Sequence, residues 1–139
     1  MQSTHYFLTF GVNAGFSENN TEADKLEVGE VIKNFIHLIE EKTGIYVSGI
    51  LIKNTAIYKN EWKCPYGGEV TFTYMGDRNN NFCNDDEAYR NAVLMLAHMI
   101  KEKYEQEEII VSFTHSDLIY IDDNYDMEKI NTKKKIKKR

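Results

Sequence analysis

Residues 45–58 read IYVSGILIKNTAIY, and residues 69–75 read EVTFTYM. Both stretches are rich in β-branched and aromatic residues, which favour strands. Apolar and hydroxylic residues alternate in the second stretch, which gives it one core face and one outer face. The intervening loop contains a proline and two glycines, so the pair predicts an antiparallel hairpin with a long turn. Because the first stretch is long for one strand, we expect a bulge or bend near Gly49.

A helix and a strand flank this hairpin on each side. Apolar residues recur at helical spacing before it and after it, which predicts helices over residues 22–42 and 86–106. Gly44 suits the left-handed position that ends the first helix, and Asn84 or Asp85 is expected to cap the second. Strand-forming residues extend over residues 5–13 and 109–121, at the two outer ends of the pattern.

The resulting order, β-α-β-β-α-β, is that of the ferredoxin-like sandwich. We therefore predict an α+β domain over residues 1–123, with a four-stranded antiparallel sheet and both helices on one face. Its core is expected to contain apolar residues from every element: Leu8, Phe10, Ile32, Phe35, Phe72, Val93, Leu96, Val111 and Phe113.

Charge divides the chain of 139 residues into an acidic body and a basic end. The formal net charge is −5, yet the last seven residues hold six of the 17 Lys and Arg and no acid. Such a block is typically solvated, so residues 124–139 are predicted to form a disordered basic tail. An acidic body repels phosphate, which leaves that tail as the only segment suited to nucleic acid.

The sequence gives no sign of a membrane segment or of secretion. It has no run of 18 apolar residues and no apolar leader after Met1, so we expect a cytoplasmic protein. Two cysteines, Cys64 and Cys83, do not make a disulfide framework.

Motifs for catalysis, metals and cofactors are missing. Neither cysteine has a nucleophile signature, and no histidine or cysteine pair has the spacing of a metal site. The two glycines before residue 69 precede a strand rather than a helix, which argues against a phosphate loop. The expectation is a protein without metal or cofactor that is not an enzyme, since only the run THSD at residues 114–117 offers a remote catalytic reading.

Two groups of residues are candidates for contact with another protein. Trp62 and Tyr66 lie in the hairpin loop, where aromatics either anchor a partner or pack back on the domain. Met95 and His98 widen the apolar arc of the second helix beyond one packing face, which indicates an interface and a homodimer.

A third group would suit a small anionic ligand. Arg78 can clamp a phosphate or carboxylate, Asn79 adds amide donors, and His115 lies on the last strand. The first hypothesis is therefore a small, non-enzymatic acidic protein that binds and inhibits or modulates another protein, as a phage- or plasmid-encoded inhibitor of a host defence system would. The alternative is an oligomer that binds or sequesters a nucleotide metabolite.

Overall fold

The computed structural model describes residues 1–13 and 25–128 of the chain. One sheet has the strand order β2-β3-β1-β4, and its three neighbouring pairs are all antiparallel. The α+β class and the predicted element order are confirmed. The elements are β1 (Gln2–Gly11), α1 (Lys25–Thr43), β2 (Ile50–Ala56), β3 (Glu69–Asp77), α2 (Asp86–Lys103) and β4 (Val111–Asp117), with a short 3₁₀ turn at Asn60–Trp62.

One face of the sheet and both helices share a single core. Leu8 lies opposite Tyr74 and Phe10 opposite Phe72, so these side chains point to the same side. Buried residues of α1 and α2 pack into that cluster, which places both helices over one face, as predicted. The most buried members include Tyr6, Leu8, Phe72, Ile39, Leu96 and Ile100.

The predicted core is confirmed at six positions and needs correction at three. Phe35, Val111 and Phe113 are only partly buried against the cluster. α1 turns Ile36 inward instead of Phe35. Val111 and Phe113 lie on β4, which is an edge strand with a neighbour on one side only.

The helix ends follow the local signals. Asp85 caps α2, and its side chain accepts a hydrogen bond from the backbone N–H of Ala88 at 3.0 Å. Gly44 follows α1 with a φ of 76°, and its N–H donates to the carbonyl of Glu40 at 2.8 Å. The first predicted helical residues, 22–24, lie outside the described residues.

β2 begins at Ile50, five residues later than predicted. Two buried tyrosines from neighbouring strands hold the preceding segment by its backbone. The hydroxyl of Tyr6 donates to the carbonyl of Ser48 at 2.6 Å, and that of Tyr74 donates to the carbonyl of Val47 at 3.0 Å. These carbonyls are therefore satisfied by side chains rather than by a strand ladder.

Gly49 permits this close approach, so Gly49→Ala is expected to destabilise the protein by about 1–3 kcal/mol. A Cβ at this position would lie 2.5 Å from the hydroxyl of Tyr6 and 2.6 Å from the carbonyl of Met75. Urea unfolding measures the loss. Gly29→Ala is the control. Gly29 lies within α1, and a Cβ there would meet only the side chain of Leu51, at 3.9 Å, so this variant should stabilise the helix. Equal effects of the two variants would contradict the packing assigned to Gly49.

Within residues 1–13 and 25–128, no helix is long and apolar enough to cross a membrane. The predicted basic tail lies mainly in residues 129–139, outside the described part of the chain. The boundary at residue 123 and the disorder of the tail stay predictions.

Candidate functional site

The two loop aromatics lie on the surface of the β2–β3 connection. Trp62 is 52% exposed, and the ammonium of Lys59 sits 4.3 Å from its ring centroid. Tyr66 is fully exposed. Trp62 therefore has a contact within its own loop and is about half exposed, and Tyr66 projects into solvent.

Arg78 is a buried structural residue rather than an open clamp. Its Nε donates to Asp86 at 3.1 Å, and its Nη1 donates to the carbonyl of Cys83 at 2.8 Å. Arg90 donates to the second oxygen of Asp86 at 2.8 Å, and the hydroxyl of Thr4 donates to the first. The hydrogen bond from Thr4 and the two arginines lower the pKa of Asp86. This cluster ties the start of α2 to β1 and to the end of β3.

Asp86→Asn is expected to lower the free energy of unfolding at pH 7 by about 1–2 kcal/mol, because the buried Arg78 loses its counter-charge while Asp86 is partly solvated. The folded-state pKa of Asp86 is lowered, so its contribution is complete above the unfolded value of 3.8 and is lost as the pH falls further. Urea unfolding of both proteins at pH 7 and at decreasing acid pH checks this. A stability difference that stays constant into strong acid would contradict it.

The other predicted residues do not converge on one place. Asn79 shapes its own turn, in which its carbonyl accepts from the N–H groups of Phe82 and Cys83. On α2, His98 is exposed and Met95 is partly buried against the core. His115 is exposed on the edge strand β4, opposite Thr4. The structure thus separates the seven residues into a hairpin loop, a helix face and the opposite end of the sheet, and their binding roles stay predictions.

Glu69, which the sequence analysis did not single out, is the one buried acid among the described residues. It begins β3, and only 8% of its surface is exposed. The hydroxyl of Tyr58, just after β2, donates to its Oε1 at 2.8 Å. Partial burial and the neighbouring carboxylate raise the pKa of Tyr58 to about 12. Tyr58 therefore remains a hydrogen-bond donor at neutral pH and fixes the orientation of the carboxylate.

A glycine makes room for this carboxylate. A Cβ on Gly11, at the end of β1, would collide with Oε2 of Glu69 and would lie 3.0 Å from Oε1 of Gln106. Gln106 is held in place because its Nε2 donates to the carbonyls of Asn13 at 2.5 Å and Tyr104 at 3.0 Å. Two acceptor groups, the carboxylate and the amide oxygen, thus lie beside the same backbone position, within reach of one donor or cation.

Glu69 also begins a polar row on the sheet face that lies away from the helices. Thr71 donates to Oδ1 of Asn54 at 2.5 Å, Asn54 donates from Nδ2 to Thr73 at 2.7 Å, and Thr73 lies 2.7 Å from the hydroxyl of Thr9. The predicted hydroxylic outer face is therefore present as a hydrogen-bonded network. Its members satisfy one another, which leaves the carboxylate as the chemically distinct group of the row.

Asp86 and Glu69 are both fixed by hydrogen bonds, but they differ in their counter-charges. Asp86 has two arginines, whereas no Lys or Arg of the described residues forms an ion pair with Glu69. Burying a carboxylate without a cation is costly, and a cationic ligand would remove that cost. The described residues contain no group of three His, Cys, Asp or Glu placed to hold a metal ion. A buried carboxylate without an ion pair is suited to a positively charged group.

The sequence carried a weak signal for this site. Glutamate is depleted in strands, and Glu69 opens a strand whose outer row continues with two threonines, a methionine and, at the far end, Asp77. Tyr58 lies two residues after the end of the partner strand, β2. Neither residue belongs to a motif with a known spacing, so their proximity appears only in the folded chain.

The fold and the uncompensated carboxylate define a small ferredoxin-like protein that is suited to hold a cationic small molecule. The chain belongs to the SAM lyase family, whose sequence model matches residues 1–122. Comparison with curated protein sequences gives no significant match.

Two solved structures share the fold. A phage SAM lyase in complex with S-methyl-5'-thioadenosine has a TM-score of 0.58 and 18% identity, with 81% of this chain and 80% of that chain covered. A phage SAM lyase in the apo state has a TM-score of 0.56 and 16% identity, with 89% of this chain and 92% of that chain covered.

Family membership corrects two predictions from the sequence. The expected non-enzymatic inhibitor of another protein is wrong, and so is the expectation that the chain is not an enzyme, because the family is one of lyases. A protein partner is not supported. The alternative, a small nucleotide-like ligand, agrees in kind with the nucleoside bound by one of the matched proteins.

Proposed function

We propose that this protein is an enzyme that cleaves S-adenosylmethionine and that Glu69 holds a cationic group of this substrate. The observation that carries the proposal is the match of the SAM lyase family over residues 1–122. The substrate bears a sulfonium and an ammonium group, and Glu69 is the buried carboxylate without a cation among the described residues. The acidic net charge of −5 also favours approach of a cation.

The nucleoside in the matched complex indicates which bond breaks. S-methyl-5'-thioadenosine retains the methyl group, the sulfur and the adenosyl group of S-adenosylmethionine. The bond from sulfur to Cγ of the amino-acid chain is therefore the one to cleave, and its electron pair passes to sulfur, which becomes a neutral thioether. A lyase adds no water, and we propose that the carboxylate oxygen of the substrate takes the place of sulfur on Cγ, which releases a four-carbon lactone. This step balances without a proton transfer, whereas elimination would need a base to remove a proton from Cβ.

This reaction requires few catalytic groups from the protein. The nucleophile belongs to the substrate, so the site must bind it with the carboxylate in line behind Cγ. Glu69, oriented by Tyr58, supplies a fixed negative charge for that purpose. No protein nucleophile, metal or redox group takes part in the step.

Incubation of the purified chain with S-adenosylmethionine tests the function. We expect methylthioadenosine and the lactone in equal amounts, measured by chromatography and by proton NMR of the four-carbon product. Adenosylhomocysteine is the matched control, because it lacks the sulfonium charge and should remain intact. Vinyl protons in the product would instead indicate elimination, and persistence of the substrate would contradict the proposal.

Two finer expectations accompany this proposal. An origin in a phage, suggested by composition, is supported by the phage source of the two matched structures. The predicted homodimer is supported by the exposed Leu94 and His98 on α2. Sedimentation velocity of the full chain measures its oligomeric state.

A further inference from the structure

A cavity lies at the end of the sheet opposite to Glu69. Its volume is about 450 Å³, and it is bounded by the end of α1, the α1–β2 loop, the end of β3, the β3–α2 loop and the first turns of α2. Glu69 and Asp77 occupy opposite ends of β3, so about 26 Å of extended strand separates them. The cavity is thus a different place from the proposed site of cleavage, within one chain.

Tyr89 is the buried polar group of this cavity. Only 2% of its surface is exposed, and its hydroxyl has no hydrogen-bond partner among the described residues. Its ring packs against Tyr6 with a centroid distance of 6.1 Å, so the side chain is held in place. Burial raises the pKa of Tyr89, and the hydroxyl therefore remains a donor. A buried donor without an acceptor is rare in proteins, and a ligand atom would satisfy it.

The remaining walls define the ligand further. Glu40 and Asp77 contribute carboxylates, of which one oxygen of Asp77 lies 3.0 Å from Nδ1 of His5, and no Lys or Arg is among the described residues that line the cavity. Tyr46 and Phe82 stand at the margin, 45% and 89% exposed. Carboxylates accept from hydroxyl or amino groups and repel phosphate, and exposed aromatic rings stack on planar heterocycles. The volume lies in the range of pockets for small organic ligands.

We propose that this cavity is a second binding site, specific for a nucleoside that carries no phosphate. The hydroxyl of Tyr89 donates to a ring nitrogen or carbonyl of the base. Tyr46 and Phe82 stack on the base, and Glu40 and Asp77 accept from its amino group or from the sugar hydroxyls. This site goes beyond the proposed cleavage of S-adenosylmethionine and does not depend on it.

Adenosine titrated into the ¹⁵N-labelled full chain tests the second site by amide NMR. The expected result is a saturable shift of amides in residues 44–48 and 79–83. Tyr89→Phe should weaken this binding by about fivefold or more, because one hydrogen bond is lost. It should leave the melting temperature equal or higher, since the hydroxyl it removes has no partner in the unliganded protein.

Two controls separate this site from the site at Glu69. Glu69→Gln should leave the adenosine shifts at residues 44–48 and 79–83 unchanged, and adenosine monophosphate should bind more weakly than adenosine. Shifts confined to residues near 58 and 69, or no shift up to about 5 mM adenosine, would overturn the proposal. Equal affinity for the monophosphate, or full affinity of Tyr89→Phe, would also overturn it.

Discussion

Glu69→Gln is expected to raise the KM for S-adenosylmethionine about 100-fold, with a much smaller change in kcat. The variant keeps the shape of the side chain and an acceptor for Tyr58, but it removes the charge that would face the substrate cation. Loss of one partner of a buried charge pair costs about 2–5 kcal/mol, which corresponds to a factor of roughly 30 or more.

Glu69→Gln is expected to change KM rather than kcat because the positive charge of the substrate does not increase during the reaction. The sulfonium charge disappears as sulfur gains its electron pair, and the ammonium charge does not change. A carboxylate that faces either group therefore binds the substrate at least as well as the transition state. Interactions of this kind lower KM and do not raise kcat.

Matched variants make the result specific. Asp86→Asn removes an acid that already has two arginines, so it should lower stability and leave KM unchanged. Tyr58→Phe frees the carboxylate without neutralising it and should raise KM less than Glu69→Gln does. Steady-state kinetics on folded variants measure both. An unchanged KM in Glu69→Gln would exclude a binding role for this carboxylate, and a selective loss of kcat would assign it to bond cleavage.

The element order could be predicted from local patterns, whereas the length of β2 could not. Residues 45–49 have strand composition, but the hydroxyl of Tyr6 donates to the carbonyl of Ser48 and that of Tyr74 donates to the carbonyl of Val47. These contacts join residues 42 and 27 positions apart in the chain, and no local rule anticipates them. The bulge or bend predicted near Gly49 within one long strand is replaced by the start of β2 at Ile50.

The candidate site was harder to predict for a physical reason. Arg78 has the chemistry of an anion clamp, yet its guanidinium is used by Asp86 and by a backbone carbonyl. Glu69 has no special neighbours in sequence, yet the fold leaves it without a cation among the described residues. Tertiary contacts decide which charged side chains have a counter-charge. Arg78 is therefore engaged within the fold, whereas Glu69 is left as the candidate for ligand binding.

The expectation of a protein without catalytic activity arose from missing motifs. Nucleophiles, metals and phosphate loops leave recognisable spacings because the protein supplies the reacting groups. A lyase whose substrate carries its own nucleophile needs only a charge and a shape, which Glu69 and Tyr58 can provide. The missing motifs concern chemistries in which the protein supplies the reacting group, and they say nothing about catalysis by a group of the substrate.

Phe72→Ala is expected to lower the free energy of unfolding by about 3–5 kcal/mol, the usual cost of removing a fully buried phenylalanine. Phe72 is 0% exposed on the inner strand β3, and its ring stacks on that of Phe10 with a centroid distance of 6.1 Å. Strands on both sides prevent β3 from moving inward to fill the cavity.

Phe113→Ala is the matched control, with an expected loss of about 1–2 kcal/mol. Phe113 lies on the edge strand β4 and is only partly buried, and the guanidinium of Arg90 covers its ring at 4.9 Å. Because β4 has a neighbouring strand on one side only, the space that the ring leaves is open to solvent, whereas the space left by Phe72 is a closed cavity. Urea unfolding of both variants, with m-values equal to that of the unmodified protein, measures the two losses of unfolding free energy. Equal losses in the two variants would show that β4 is packed as tightly as β3, contrary to its position at the edge of the sheet.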